Sequence, residues 1–476
     1  MKRTQFVLVT MLMVVAMLLS ACGPAATPAA APAATQAPAA APAATKAPAA
    51  APAATQAPAA APAASGFDWM SHKGEKLRVA MVKQPGADFI ASNIDEFKKL
   101  TGIDVTYEVL PEDQFRQKTT VEFAAGTSDV DVFLSMVQQE GIKYESAGWY
   151  EDIEKLANNP KLTDPNFDIK DFTTSGLSIA RLPNGKLIGL PIYNEFGALM
   201  YNKALFDKAK IAYPPKTLAE MEAAAKALTD KANGVYGFCG RGKGAAGTSQ
   251  FSSVMFSSGS EWVTNGKPNL TDQKWLDAMT WYGNLIKNYG PPGATSMTWN
   301  QCQDLLVQGK AAMWLDASIF FANVVDPAQS KIADTAAIAM VPAGAAGQVP
   351  YVGGWHLSLY SGSKHKEAGW LFIQWALGKP MVLKAQLNNI TTGRTSAWNS
   401  AEYKAANKHP DLTESFLAAM KQGNPAWNPP VLAVSEARDD IGVVLVTAIE
   451  GGDIKAAATK ANDQLQKLLD ATPKLK

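Results

Sequence analysis

The rhythm of hydrophobic positions changes along this chain. From Phe6 to Leu19 apolar residues run almost unbroken behind Lys2 and Arg3, over a length that suits a secretory signal and is short for a membrane span. From Pro28 to Ser65 aromatic and branched aliphatic residues vanish altogether. Beyond Gly66, short β-like runs take turns with amphipathic stretches. "KLRVAMV" (Lys76 to Val82), "IDVTYEVL" and "DVDVFLSM" (Asp129 to Met136) read as strands, and Asn93 to Thr101 and Phe115 to Ala125 as helices, the first closed by Gly102. That βαβαβ order predicts a mostly parallel sheet covered by helices, an α/β fold. "GKLIGLPIYNEFGALMYNKALFDKA" follows as a strand pair running into a helix. In "YPPKTLAEMEAAAKAL" Thr217 is placed to cap a helix with Glu220 as its capping-box partner. Further helices are predicted at Gln273 to Asn288, Gln301 to Gly309, Lys366 to Leu377, Leu412 to Lys421, Ala437 to Glu450 and Ile454 to Leu469, with strands at Ala311 to Leu315 and Tyr351 to Tyr360.

The region before Gly66 reads as an address and a tether. Leu19-Ser20-Ala21-Cys22 resembles a bacterial lipobox, in which the signal is cut before the cysteine and its sulfur carries a diacylglyceryl group; two or three acyl chains anchor stably where one does not. The ten-residue unit PAAAPAATQA then recurs to Ser65 with nothing to bury against the entropy of ordering. Its prolines break an alanine helix and favour polyproline II, so some forty residues reach on the order of 100 Å. The organisation expected is a signal peptide over 1–21, a lipid-anchored linker over 22–66 and a two-lobe folded domain over 67–476.

Composition narrows the function. The 44 basic and 43 acidic residues leave a formal charge of +1, which argues against nucleic acid as a partner. The 4 histidines show no metal-ligand spacing and no Gly-rich phosphate loop opens a helix, so neither a metal nor a cofactor is expected. Past Cys22 only Cys239 and Cys302 remain, and a disulfide or two separate thiols are both open. Of the 12 tryptophans, Trp262, Trp275, Trp281, Trp370 and Trp375 fall on helical spacing and read as core.

"EFKKLTGIDVTYEVL", "GKLIGLPIYNEFGALMYNKALFDKA", "PPKTLAEMEAAAKAL", "GKAAMWLDAS" and "GGWHLSLYSGSKHKEAGWLFIQWAL", in that order, resemble the family 1 extracellular solute-binding proteins of ABC importers, in the branch that takes sugars and sugar alcohols. The resemblance implies two α/β lobes joined by a hinge, of the type II-like periplasmic-binding-protein fold, with ligand held in the cleft between them. It places chain crossings near Pro191-Tyr193, Tyr351-Trp355 and Ala401-Pro410. One lobe would hold about 67–190 and 356–405, the other about 194–350 and 410–476. The partners it implies are a small sugar or polyol and separate permease subunits in the membrane, with the protein itself a monomer on the outer face.

A polyol presents many hydroxyls and an apolar C–H face, which calls for planar polar groups and an aromatic ring. Gln138 follows the "DVFLSM" strand, and Gln84 follows the first strand. Tyr193, Asn194 and Glu195 share a crossing, and Asp316 ends a strand, where α/β ligand sites form, although an N-cap would also suit it. Arg241 sits in the Gly-rich "CGRGKGAAG", and Arg394 is a lone cation in "TTGRTSAW"; both are candidate bidentate donors. Trp355, after Gly353-Gly354, and Trp299 are candidate stacking rings. Maltose-type relatives carry aromatic residues at sites matching Ser135 and Ile319; their absence favours a monosaccharide or polyol pocket. The polyol branch has an acidic residue where Cys302 stands. Two other classes compete with a binding protein: a surface glycoside hydrolase using Glu195 and Asp316, and a stalked adhesin. Nothing in the sequence marks either carboxyl for the raised pKa that a hydrolase acid needs.

Overall fold

The computed structural model describes residues 66–473; the Cys22 lipobox and the Pro/Ala tract lie outside them. Two sheets organise the described residues. The first is ordered β2-β1-β3-β11-β4. Its strands are β1 (Lys76–Val82), β2 (Asp104–Leu110), β3 (Val132–Ser135), β4 (Leu190–Pro191) and β11 (His356–Leu359). The second is built on β5 (Glu195–Asn202), with β8 (Met313–Ala317) and β9 (Ala336–Met340) on either side and β10 (Val352–Gly353) at its start. A small hairpin of β6 (Val263–Thr264) and β7 (Lys267–Pro268) stands apart.

The parallel expectation holds only for β1, β2 and β3. β11 runs antiparallel between β3 and β4, and β5 is antiparallel to each of β8, β9 and β10. The single strand read over Tyr351 to Tyr360 is in fact two, β10 in one sheet and β11 in the other, with Gly354 and Trp355 between them. Gly354 is required there: a Cβ on it would lie 2.3 Å from the Tyr193 carbonyl oxygen. The chain passes between sheets at β4–β5 and at β10–β11, and those passages are sewn together by Ile192 N–H to Trp355 O (2.9 Å) and Asn194 N–H to Thr391 O (2.8 Å). Beyond them, helix Pro410–Gln422 returns to the second sheet, where Asp411 accepts from Ile338 N–H at 3.0 Å.

Local chemistry set the helix ends. Pro85–Thr101 starts well before the periodic stretch, because the Gln84 side chain accepts from Gly86 N–H and Pro85 fills the first turn, where its missing N–H is no loss. Thr217 caps its helix through Glu220 N–H, while Glu220 reaches back to Lys216 N–H rather than to the cap itself. Trp262, Trp275, Trp370 and Trp375 are buried; Trp281 is only half-buried and donates its indole N–H to Glu222. Cys239 and Cys302 are joined, tying the segment beside β8 to helix Trp299–Val307.

Candidate functional site

The site is built where strand ends from both sheets face one another. On the first-lobe side, Pro111 ends β2 and Glu112 opens helix Glu112–Ala125. Arg116, one turn on, donates to Glu112 (3.1 Å) and to Glu140, and its guanidinium lies 4.8 Å over the Trp355 ring. Glu140 is fixed in turn by Ser135 Oγ–H (3.0 Å) and Met136 N–H (2.8 Å). Glu112 keeps 41% of its side chain open to solvent against 7% for Glu140, so it is the carboxylate of this network that a solute can reach.

On the second-lobe side, Asp316 near the end of β8 is fully buried and fully engaged. Arg241 binds it in bidentate fashion (Nε to Oδ2 2.8 Å, Nη2 to Oδ1 2.5 Å), and Gln250 Nε2, Trp314 Nε1 and Ala317 N–H add donors at 3.0, 2.9 and 2.7 Å. Such a planar fork fixes the guanidinium plane. The Asp316 charge more than offsets the burial of Arg241 and raises the Arg241 pKa. Desolvation within the cleft opposes ionisation of Glu112 even though part of its side chain is exposed, yet Arg116, Arg438 and Arg241 hold its carboxyl below the usual range. Arg241 and Arg438 reach Glu112 from the other lobe, so the two faces share one electrostatic field.

Glu195 behaves in the opposite way. It is 6% exposed at the start of β5. Burial, with Asp316 and Glu112 nearby, pushes its carboxyl up to about 8 against the pull of Arg241 and a hydrogen bond with Tyr351. Nothing in the sequence marks Glu195 for this shift, because an isolated glutamate shows there neither its burial nor its acidic neighbours. The finding does not make a hydrolase. Its proposed partner Asp316 has both oxygens committed to Arg241, Gln250, Trp314 and Ala317, and none is left for a sugar.

Residues 81–382 match the family of bacterial extracellular solute-binding proteins. The chain belongs to that family. Among relatives, this solute-binding protein is 29% identical over 336 residues to a mannitol-binding protein of Pseudomonas aeruginosa, covering 69% of this chain and 75% of that one. Two solved ABC transporter solute-binding proteins share its fold. One from Agrobacterium vitis S4, with bound D-mannitol, has a TM-score of 0.74 at 29% identity and covers 84% of this chain and 100% of its own. One from Agrobacterium radiobacter K84, in complex with ribitol, has a TM-score of 0.76 at 25% identity, covering 83% and 99%. The two-lobe architecture expected from the sequence is therefore the fold of this solute-binding protein. Among its described residues no helix is long and apolar enough to cross a membrane.

The structure brings Glu195, Arg241, Asp316 and Trp355 to the two faces just described. Tyr193 is buried at the crossing, and the helix that Gln84 caps abuts it: a Cβ on Gly86 would lie 3.0 Å from the Tyr193 ring. Gln138 sits on the rim of the first lobe, its carbonyl taken by Asn428 from the second and its own Oε1 buried without a partner. Trp299 stacks on Phe320 (4.7 Å between centroids), which stacks on Trp314, so it stands behind Asp316. Two candidates point elsewhere. Asn194 is fully buried and its Oδ1 faces Gly393 at the crossing, within 2.8 Å of where a Cβ there would be. Arg394 is buried inside the first lobe between Phe167 and Phe172 (4.7 and 4.1 Å), donating to Leu377 O, Asp168 O and Asp171. Small neighbours let that lone cation sink into an aromatic cage instead of facing a solute.

Sequence reasoning passed over Glu112, Arg116, Glu140, Gln250, Tyr351, Asn428 and Arg438. Glu112 and Arg116, four apart on one helix, have the spacing of a solvated surface pair. The overlooked cue was their position immediately after the C-terminal end of a sheet strand.

Proposed function

We propose that this solute-binding protein captures a small neutral polyol, a sugar alcohol or monosaccharide, between its lobes and presents it to an ABC permease without catalysis. The observation that carries the reading is the pairing of charge in the cleft. Three cations, Arg116, Arg241 and Arg438, stand against three carboxylates, Glu112, Glu140 and Asp316, so the faces offer oriented donors and acceptors with little net charge. That suits hydroxyls, and Trp355 supplies a ring for a C–H face. The mannitol- and ribitol-bound relatives support the same class of ligand. Glu195 on this reading enters as a neutral carboxyl at pH 7, able to donate as well as accept. Closure of the lobes on ligand would create the surface that a permease recognises.

The same proposal covers the rest of the chain. Cys22 carries the lipid after cleavage at residue 21, residues 22–66 form a stalk, and the lobes divide at the three crossings, about 67–190 with 356–405 and 194–350 with 410–476. The protein acts as a monomer at the outer face of the cytoplasmic membrane. The deciding experiment is a thermal-shift screen against hexitols, pentitols, tetritols, monosaccharides, disaccharides and one aldonic acid. Ligand at a hundred times its dissociation constant adds about 2.7 kcal/mol of stability. Shifts confined to neutral polyols or monosaccharides support the reading; a response to the aldonate alone, or to none, refutes it.

A further inference from the structure

The connection from Gly423 to Ala433, between helix Pro410–Gln422 and helix Val434–Glu450, is absorbed by none of the roles above. Its sequence, "GNPAWNPPVLA", sets Trp427 and Asn428 between prolines that restrict the backbone on both sides. It is pinned to the second lobe at both ends. Asn424 donates to Pro350 O at 2.9 Å and accepts from Val352 N–H at 3.0 Å, and Leu432 N–H donates to Thr472 Oγ1 at 2.8 Å. Between those pins it reaches the opposite lobe: Asn428 Nδ2 donates to Gln138 O at 2.9 Å.

Trp427, one residue earlier, is 3% exposed and packs against Tyr351 (5.9 Å between centroids) and the Arg438 guanidinium (5.9 Å). Its indole Nε1 is buried with no hydrogen-bond partner. A Cβ on Gly353 would lie 3.0 Å from it, and Gly353 is the cross-strand partner of Glu195. A buried indole N–H left unpaired is unfavourable unless something accepts from it. It faces the step of sheet where Glu195 and Tyr351 meet.

We propose that the Trp427–Asn428 step couples ligand to closure: the Trp427 indole N–H donates to a ligand hydroxyl, and Asn428, carried on the same rigid strap, clasps the carbonyl of Gln138 to hold the lobes shut. This rests on the functional reading above and adds two residues to its site. The strap sets Asn428 against Gln138 in this closed arrangement, and a ligand oxygen that satisfies Trp427 adds its hydrogen bond to the same arrangement. Neither residue alone would serve, since the donor touches only ligand and the clasp touches only the other lobe.

The test compares full-length wild type with W427F, G353A and N428A, using whichever panel member binds wild type most tightly. W427F keeps an aromatic ring, a smaller one, and removes the donor, and G353A keeps the indole and crowds its N–H. Each should raise Kd about tenfold, the worth of one buried hydrogen bond, with free-protein melting lowered in W427F only by the packing that the smaller ring gives up. N428A should leave kon alone and raise koff severalfold. Spin labels on Val121 and Val443, both exposed and on opposite lobes, read closure directly: N428A should lower the closed fraction. Wild-type Kd in both W427F and G353A, or wild-type koff and closed fraction in N428A, overturns the proposal. If wild type binds no panel member, the functional reading and the Trp427 donor role both fail, while the labels still decide the clasp.

Discussion

Replacing Glu195 by Gln isolates the energetic consequence of a carboxyl held in the wrong protonation state. Its folded pKa of about 8 lies above the ordinary 4.5. The folded state therefore binds the proton more tightly than the unfolded chain does. Below about pH 4.5 both states are protonated and the residue is neutral to stability. As pH rises toward 8 the unfolded chain gains ever more from ionising, until the folded state ionises too and the loss levels off. At pH 7 the accumulated loss is about 3 kcal/mol. Glu195→Gln keeps the shape and a partner for Tyr351 but has no proton to lose. For a folded domain of some four hundred residues, with an unfolding entropy of about 2.1 cal/mol/K per residue, the variant should melt about 4 °C above wild type at pH 7. Melting both proteins without ligand between pH 4.5 and 8.5 and plotting their difference cancels the other titrating groups. The difference should be near zero at the acid end and grow with pH. A constant difference across that range would refute the reasoning, because it would mean that Glu195 ionises as an ordinary carboxylate.

Asp316→Asn should lower stability by about 3 kcal/mol or more in urea titrations, since Arg241 would stay buried with its counter-charge gone, and ligand affinity should fall with it. Arg394→Met should destabilise the protein by roughly 3 kcal/mol through the stranded carbonyls and Asp171, yet leave the Kd for ligand unchanged; a large affinity loss at unchanged stability would return it to the cleft. Opening the Cys239–Cys302 bond, which spans 63 residues of sequence, should cost about 4 kcal/mol by the loop-entropy relation. The check is melting with and without reductant, beside a C239S/C302S variant that no longer responds. Cys22→Ser should release the protein from membranes into the soluble envelope fraction on cell fractionation.

Much of the frame was legible because it rests on periodicity. The first strand reads the same, Lys76 to Val82, in sequence and structure, and most of the longer helices differ from their patterns by a few residues at the ends; Pro85–Thr101, predicted only from Asn93, is the exception. Strand direction was not legible. Alternating apolar residues look alike whether a neighbour runs up or down, and β11 and β5 take their direction from crossings that no local pattern encodes. In the cleft, Glu195 and Trp355 could be named from their place at a crossing. Arg394 could not be told from a ligand-facing arginine, because its cage is made by Phe167 and Phe172, far from it in sequence. Trp427 and Asn428 carry no signal beyond their prolines, and their meaning depends on which residues of the other lobe lie opposite.

The placement of β11 has a consequence for biogenesis. It lies between β3 and β4 and is the only strand that joins them within the first sheet. Until residue 359 has emerged, the amino-terminal half of the chain has no way to complete its sheet, and β3 and β4 remain open edges. Closure over so long a separation is slow. A polypeptide that must thread across a membrane before it folds gains from this delay: nascent segments stay extensible during passage. The same delay exposes unpaired edges meanwhile, so any product truncated before residue 356 should be handled by the cell as an aggregation-prone fragment rather than as a smaller working protein.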